Sequence, residues 1–474
     1  MTLSGARLGR PTWWRRLTAA ASAKRLAGFV VPGREVAVAK GIDLEAAGLR
    51  LVANPRHADV LVLVGEIPPG LSNAVALTYR QMPRPRAIFS VGAGPVTDLP
   101  SPDVSIALSQ AEVEAGIAQL SELFRDAAWT NHEPHARHQA DVQDHAHDTG
   151  GMGGHHDMGE MDMDHMTGGG FMSMVMMTRD LPRSADGLPM EWLDVPFGPL
   201  FPGLPGGLRL RLTLDGDTVV RATVQPGALG RGLEEAWLGP VDGFVDRFAA
   251  IDPLSPIAYR VLAEEALEAA GAAPPDASLR HRRVEMLERE RVASHLNWLA
   301  SFSFLLGDRW LLNAALALHG RIDPARDTSA LRQVREDTRV LMGRVARSPL
   351  LVRRLYGMGR LDYDMRPDAL SRLRVRLGEL EQSLDQLLAA GDVSTSVEVR
   401  GVPDTGTGEA TLETPRGPAT LSIEIANGQI TRAKLTSPSQ RLVELIPAIA
   451  EGHELADALL GVASLDISPW EVDR

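Results

Sequence analysis

The densest chemistry in the chain lies between residues 131 and 177. Eight of the thirteen histidines fall there: His132, His135, His138, His145, His147, His155, His156 and His165. Nine of the sixteen methionines lie between Met152 and Met177. Eight carboxylates are interleaved from 131 to 166, where Arg137 is the only Lys or Arg. Imidazole with thioether suits Cu(I), and imidazole also serves Cu(II), Ni(II) and Zn(II). His155-His156-Asp157-Met158 and Met161-Asp162-Met163-Asp164-His165-Met166 set soft donors every two or three residues. That spacing suits adaptable two- or three-coordinate copper better than one rigid tetrahedral zinc site. No apolar period runs through the segment and Gly is frequent, so a disordered linker is predicted. Nothing preorganises the donors, so metal bound here would be buffered, stored or sensed rather than used in catalysis. An unligated low-complexity linker has the same composition.

Composition bounds the rest. The 474 residues correspond to roughly two to four domains. Hydrophobic residues make up 44%, enough for large cores, and the net charge of −12 argues against a nucleic-acid footprint. There are no cysteines, which excludes disulfides, thiolate zinc sites and cysteine-held iron–sulfur clusters from this chain. No run of about 20 uncharged apolar residues marks a transmembrane helix. Trp13, Trp14, Arg15 and Arg16 precede an Ala-rich stretch that Lys24 and Arg25 interrupt. This basic, Trp-bearing 1–27 segment reads as an ordinary solvated helix or as an amphipathic start that touches a membrane surface or a partner, with a twin-arginine export signal as the remaining reading.

The elements around the linker fall into two groups. Residues 28–125 alternate strand and helix: strands at 49–52, 58–65 and 87–94, and helices at 72–82 and 113–125. The continuous apolar run Ala58–Gly65 predicts a buried parallel strand. The Gly92-Ala93-Gly94 turn is read as a tight strand end rather than a phosphate or flavin loop. After the 126–189 linker, Leu208–Leu214 alternates apolar and polar, Asp215-Gly216-Asp217 turns, and Thr218–Val224 returns, which is a β-hairpin. Helices are predicted at 233–238, 254–270, 280–306, 309–318, 328–347 and 367–388. Strands follow at 395–400, 419–425 and 429–435 around Asn427-Gly428, then a helix at 440–450. The fold class is an α/β N-terminal domain, a parallel sheet with helices, followed by an α+β domain with a large helical bundle and a flanking β-hairpin and sheet. The long helix 280–306 is the organising element, and its Glu285, Glu288 and Glu290 are read as a solvated charged face rather than a proton path. His295 is read as a core or interface histidine, His57 as a structural residue, and His319 and His453 as helix-end residues.

Two resemblances follow. Asp43–Val52, Asn54–Leu61, Tyr79–Pro83 and Ser90–Ala93 resemble the small, cluster-bearing subunit of respiratory complex I and of energy-converting hydrogenases. Positions 190–474 resemble the quinone-site subunit of complex I, homologous to the nickel–iron hydrogenase large subunit. They do so through Gly198-Pro199, Leu208–Asp217, Asp246–Phe248, Glu288–Leu296, Glu413–Gly417, Ser464–Ile467 and Glu471–Arg474. The chain thus resembles a fusion of two subunits joined by the His/Met linker. The resemblance implies a [4Fe–4S] cluster held by cysteines, but Val31-Pro32-Gly33-Arg34 and Gly94 stand at those positions. It implies nickel–iron ligands near both ends of the large subunit, but residues 464–474 carry no cysteine. Neither centre is expected. The family's quinone-headgroup histidine falls at Pro205, an earlier family histidine at Phe201 and the headgroup tyrosine at Ala250, so the ligands are replaced by side chains that cannot donate a hydrogen bond.

The function these resemblances imply is a cofactor-depleted structural or coupling subunit of a complex I-like, ion-translocating assembly. Its expected place is peripheral, on the inner, cytoplasmic face of the cell membrane, docked on antiporter-like membrane subunits. One alternative is an NADH dehydrogenase-like subunit that still binds quinone and receives electrons from a partner chain, with NAD at the level of the whole complex. The other is a copper-, nickel- or zinc-binding protein acting through the linker.

Overall fold

The computed structural model describes residues 26–126, 192–225, 229–322, 327–361, 368–390 and 404–472. The His/Met segment, the N-terminal 25 residues and the expected strand at 395–400 lie outside the described residues.

The first lobe is a parallel sheet in the order β2-β1-β3-β4-β5. Its elements are β1 (Ala27–Val31), α1 (Arg34–Ala39), β2 (Arg50–Leu51), β3 (Val60–Val64), α2 (Ser72–Gln81), β4 (Ala87–Val91), β5 (Val104–Ile106) and α3 (Gln110–Arg125). Every residue of β3 and β4 is buried, as an apolar run without alternation requires. Val60, Val62 and Val64 pack on one side with Val113, Ile117, Leu120 and Phe124 of α3. Leu61 and Leu63 pack on the other with Val75 and Tyr79 of α2, and with Leu229 and Trp470 from the rest of the chain. One face of this sheet is therefore completed by the second lobe. Strands β1 and β5 were not anticipated from the sequence. At the end of β4, Gly92 has φ +67°, and a Cβ there would stand 2.7 Å from Leu108 Cβ, so the turn is dictated by packing.

The second lobe opens with the antiparallel sheet β6 (Leu193–Phe197), β7 (Leu210–Asp215) and β8 (Thr218–Val224). The predicted hairpin is β7–β8, turning at Gly216 with φ +59°. Then come α4 (Leu233–Ala236), β9 (Gly239–Pro240), α5 (Phe244–Ala249), α6 (Pro256–Ala269), α7 (Ala277–Leu306), α8 (Arg309–Ile322), α9 (Thr328–Ala346), α10 (Pro349–Leu355) and α11 (Ala369–Ala390). Strands β10 (Gly406–Thr414), β11 (Gly417–Ala426) and β12 (Gln429–Thr436) form a meander with β9 at its edge. The chain closes with α12 (Pro438–Val443), α13 (Ile446–Ala450) and α14 (Leu455–Ala463). The single helix expected at 440–450 is two pieces, because residues 444–445 interrupt it just before Pro447.

Helix α7 is the spine of this lobe. Asp276 caps it by accepting from Leu279 N at 2.7 Å, and Gly307 ends it with φ +74°. At 30 residues it is about 45 Å long. Val292, Leu296, Leu299 and Phe302 enter the core as their spacing predicts. Its charged first half departs from the expected solvated face. Glu288 and Glu290 are buried, while Val284 is 53% exposed. The reason is packing on two sides: toward α6, Arg283 pairs with Glu264 at 2.9 Å and Glu268 at 2.7 Å and Glu290 meets the first turn, while Glu288 accepts from Ser383 of α11 at 2.5 Å. Among the described residues no helix is long and apolar enough to cross a membrane.

Candidate functional site

The middle of α7, the segment before α6, the β10–β11 turn and the C-terminal tail meet around Arg416. Its guanidinium Nη1 donates to Asp252 Oδ2 at 3.0 Å, to Ser255 Oγ at 2.7 Å and to Glu471 Oε1 at 3.5 Å. Its Nε lies 3.5 Å from Asp466 Oδ1. Asp252 is fully buried and also accepts from Ser468 Oγ at 3.0 Å and from Leu254 N at 3.0 Å. Glu471 accepts from Ser439 N at 3.3 Å. On the far side, Arg376 of α11 lies 3.4 Å from Asp466, donates to Leu465 O at 3.0 Å, and stacks 4.6 Å over the Trp298 ring. Asp466 sits in the left-handed region at φ +60°, a strained position for a non-glycine residue and one that aims its carboxylate between the two arginines.

Glu290 completes the group. Its two carboxylate oxygens accept from Ile257 N at 2.6 Å and Ala258 N at 2.8 Å, at the first turn of α6. These bonds favour the charged form, but burial outweighs them, and nearby Asp252 adds to it, so Glu290 is pushed up to about 8. Burial likewise pushes Glu471 up to about 7, against the pull of Arg416. The Tyr259 hydroxyl is driven well above its usual range by burial and then by Glu471 and Asp252. Burial is the leading cause for both glutamates, and crowding of acids adds to it: Asp252, Asp466 and Glu471 pair with Arg416, Asp466 also with Arg376, and Asp252 pushes Glu290 and Glu471 further up.

Three cavities adjoin this centre. One of about 30 Å³, room for about one water, lies between Glu35 on one side and Arg416 and Asp466 on the other. Ser294 and Asn297 line it and also line a cavity of about 550 Å³ that reaches Glu290, Lys40, Arg289 and His319. The third, of about 320 Å³, sits where the lobes meet and is walled by Phe29, Leu200, Phe201, Leu204, Phe304 and Leu312. The junction itself is polar. Glu35 Oε1 accepts from Gly206 N at 2.7 Å, Asn297 Nδ2 donates to Glu35 O at 2.8 Å, and burial raises the Glu35 carboxyl.

The residues singled out from sequence are placed as follows. Pro205 lines the smallest cavity beside Glu35 and Asp466, whereas Ala250 is an exposed cap after α5 whose carbonyl accepts from Arg231 at 3.1 Å. Phe201 lines the apolar cavity at the lobe junction. His295 is buried, 3.1 Å from Glu379, and burial lowers its pKa. His132, His135, His138, His145, His147, His155, His156, Met158, Met161, Met163, His165 and Met166 all lie outside the described residues. Among the described residues no group of three or more His, Asp or Glu side chains could hold a metal ion. Pro32, Gly33 and Gly94 offer no thiolate, so the donor set does not fit an iron–sulfur cluster. Asp252, Tyr259, Arg416, Asp466 and Glu471 were not singled out as site residues. Arg416, Asp466 and Glu471 lie in the resembling stretches Glu413–Gly417, Ser464–Ile467 and Glu471–Arg474, while Asp252 and Tyr259 lie in none of them.

Comparison with known proteins places this geometry. No family model matches the chain. An NAD(P)H-quinone oxidoreductase subunit of Synechococcus sp. (strain CC9605) is 24% identical over 388 residues, covering 60% of this chain and 98% of that protein. An NADH-quinone oxidoreductase subunit of Parafrankia sp. (strain EAN1pec) is 35% identical over 123 residues, covering 25% of this chain and 26% of that protein. The chain resembles the quinone-site subunits of complex I. A chain in the structure of the membrane-bound sulfane sulfur reductase, an archaeal respiratory membrane complex, shares the fold. Its TM-score is 0.52 at 24% identity, over 60% of this chain and 98% of that one. The likeness to the Synechococcus protein spans nearly the whole of that relative and leaves 40% of this chain for other segments.

Proposed function

We propose that the chain is a structural or coupling subunit of a complex I-like assembly and works without a redox cofactor of its own. It sits peripherally on the inner face of the membrane and docks on antiporter-like membrane subunits. The observation that carries this reading is a likeness covering 98% of the Synechococcus quinone oxidoreductase subunit in a chain of 474 residues without one cysteine. Pro205 supports it, because its side chain lines the small cavity and cannot donate a hydrogen bond to a quinone carbonyl. The centre around Arg416 gives such a protein something to couple with. Glu290 and Glu471 hold protons near neutral pH, Glu290 lines the larger cavity, and Ser294 and Asn297 join that cavity to the small one at Arg416 and Asp466.

Two measurements test the reading. The chain purified alone is analysed for iron and nickel with a visible spectrum, and about four irons per chain with cluster absorbance would overturn it. A tagged chain is followed on native gels of gently solubilised membranes, where it is expected to migrate with a multisubunit complex. Migration as a lone species would sink the assembly role.

A second reading, quinone binding with electrons from a partner chain, is favoured by the apolar cavity at the lobe junction. It predicts saturable binding of a short-chain quinone that Phe201→Glu abolishes. The linker supports a third, metal-binding role, through the donor density of 132–166 alone.

A further inference from the structure

Residues 340–361 hold five arginines, at 344, 347, 353, 354 and 360, and no acidic residue, in a chain whose net charge is −12. Their placement is built rather than incidental. Ser348 caps α10 by accepting from Leu351 N at 3.3 Å, and Pro349 opens the helix. Leu351 and Leu355 are buried and anchor it to the lobe. That leaves Leu350, 79% exposed, on the outward face with Arg353 and Arg354, three and four residues on. Tyr356, 75% exposed, follows directly, and Arg344, Arg347 and Arg360 are exposed around the same turn. Leu350 and Tyr356 are the two most exposed large hydrophobic side chains among the described residues. Beside them Arg344 lies 3.6 Å over the ring of Trp310, which is itself 38% exposed. Among the described residues, Asp457 of α14 lies 3.8 Å from Arg354, with both groups about half exposed, and the largely buried Asp368 accepts from Gly357 N at 2.8 Å. The exposed Arg354–Asp457 pair is worth little.

We propose that this patch rests on the surface of an anionic phospholipid bilayer. Isolated apolar tips set among arginines are the chemistry of a lipid headgroup layer. Arginine donates bidentate hydrogen bonds to phosphate, a tyrosine ring sits at headgroup depth, and one leucine reaches the acyl boundary. A protein partner would ask for the reverse, a contiguous apolar centre with charges at its rim. Charge complementarity points the same way. The patch is a local excess of five positive charges in a chain whose net charge is −12, so among the described surfaces it is one that an anionic membrane attracts. The contact extends the membrane-peripheral reading above and is tested apart from it, on the chain alone.

The test is co-flotation of the purified chain with vesicles of phosphatidylcholine, with and without phosphatidylglycerol. Binding is expected to the phosphatidylglycerol vesicles only, and to disappear in about 1 M salt, where the screening length falls to about 3 Å. Replacing Arg353→Gln and Arg354→Gln together is expected to weaken partition about 30-fold, since each charge near the surface contributes about 1 kcal/mol. Leu350→Ser weakens it about tenfold. Arg353→Lys with Arg354→Lys keeps the binding, and unchanged melting of all variants shows that the fold is intact. Equal binding to neutral vesicles, no binding to either, or undiminished binding by the double glutamine variant each overturns the proposal. If the glutamine variant leaves the native multisubunit complex while the chain binds no vesicle, an acidic protein surface is the partner and the lipid assignment fails.

Discussion

In the first lobe, β3 and β4 are buried at every position, and apart from Ser90, which donates to Ala93 O, their side chains are aliphatic or aromatic. In the second lobe the equally buried centre holds Asp252, Glu290, Arg376, Arg416, Asp466 and Glu471. The difference teaches how each interior fails. An apolar core loses stability in proportion to the methylenes removed and the cavity left. A charged core fails when one partner goes, because the rest are stranded. It also answers to pH, which the apolar core does not.

The largest effect is expected from Arg416→Met, which strands Asp252, Asp466 and Glu471. A loss of about 3–5 kcal/mol in urea unfolding at pH 8 is expected. The loss should shrink toward pH 5, where Glu471, already raised to about 7 by burial, takes up a proton. Phe89→Ala in the first lobe is expected to cost about 3–5 kcal/mol as well, but equally at pH 5 and pH 9. A pH-dependent Phe89→Ala or a pH-independent Arg416→Met would erase the contrast.

Gly206→Ala tests the junction between the lobes. The added Cβ would stand 2.2 Å from Pro32 O, and overpacking of this kind costs about 1–3 kcal/mol. Faster proteolysis of the link between lobes is the readout.

Glu290→Gln sharpens the titration argument. The folded protein holds the Glu290 proton up to about pH 8, while the unfolded chain releases it near the ordinary 4.5. Over that window stability falls as pH rises, because the folded state binds the extra proton. Glutamine leaves one of the two backbone N–H donors at Ile257 and Ala258 without an acceptor, at a cost of about 1–3 kcal/mol. The variant should therefore melt below wild type at pH 5, with the gap closing by pH 9. A gap that widens with pH would refute the raised value.

The smallest effect on stability belongs to deletion of 132–166. It should leave urea unfolding of both lobes unchanged while removing copper uptake, measured by mass spectrometry of metal content.

Much of the first lobe was legible in the sequence, because a buried parallel strand is a local pattern: Ala58–Gly65 announces β3 without help from any neighbour. The β7–β8 hairpin and the Asn427-Gly428 turn were legible for the same reason, their turn chemistry lying within a few residues. The buried centre was not. Arg416 and Asp252 are 164 residues apart, and Ser468 and Asp252 are 216 apart. The three glutamates of α7 read as a solvated face because helical periodicity registers where apolar residues point. It is silent on whether α6 and its arginine-pairing acids lie against the other side.

By itself the sequence determined which donors exist. A chain without cysteine has no thiolate to give a cluster, and a stretch from 340 to 361 whose only charged residues are five arginines is cationic wherever it lies. It also determined the strands and turns whose signals are local. Only the tertiary structure decided which charges are buried, and so which acids keep their protons. The cost of ionising Glu290 or Glu471 is a property of the surrounding side chains, and those come from distant parts of the chain.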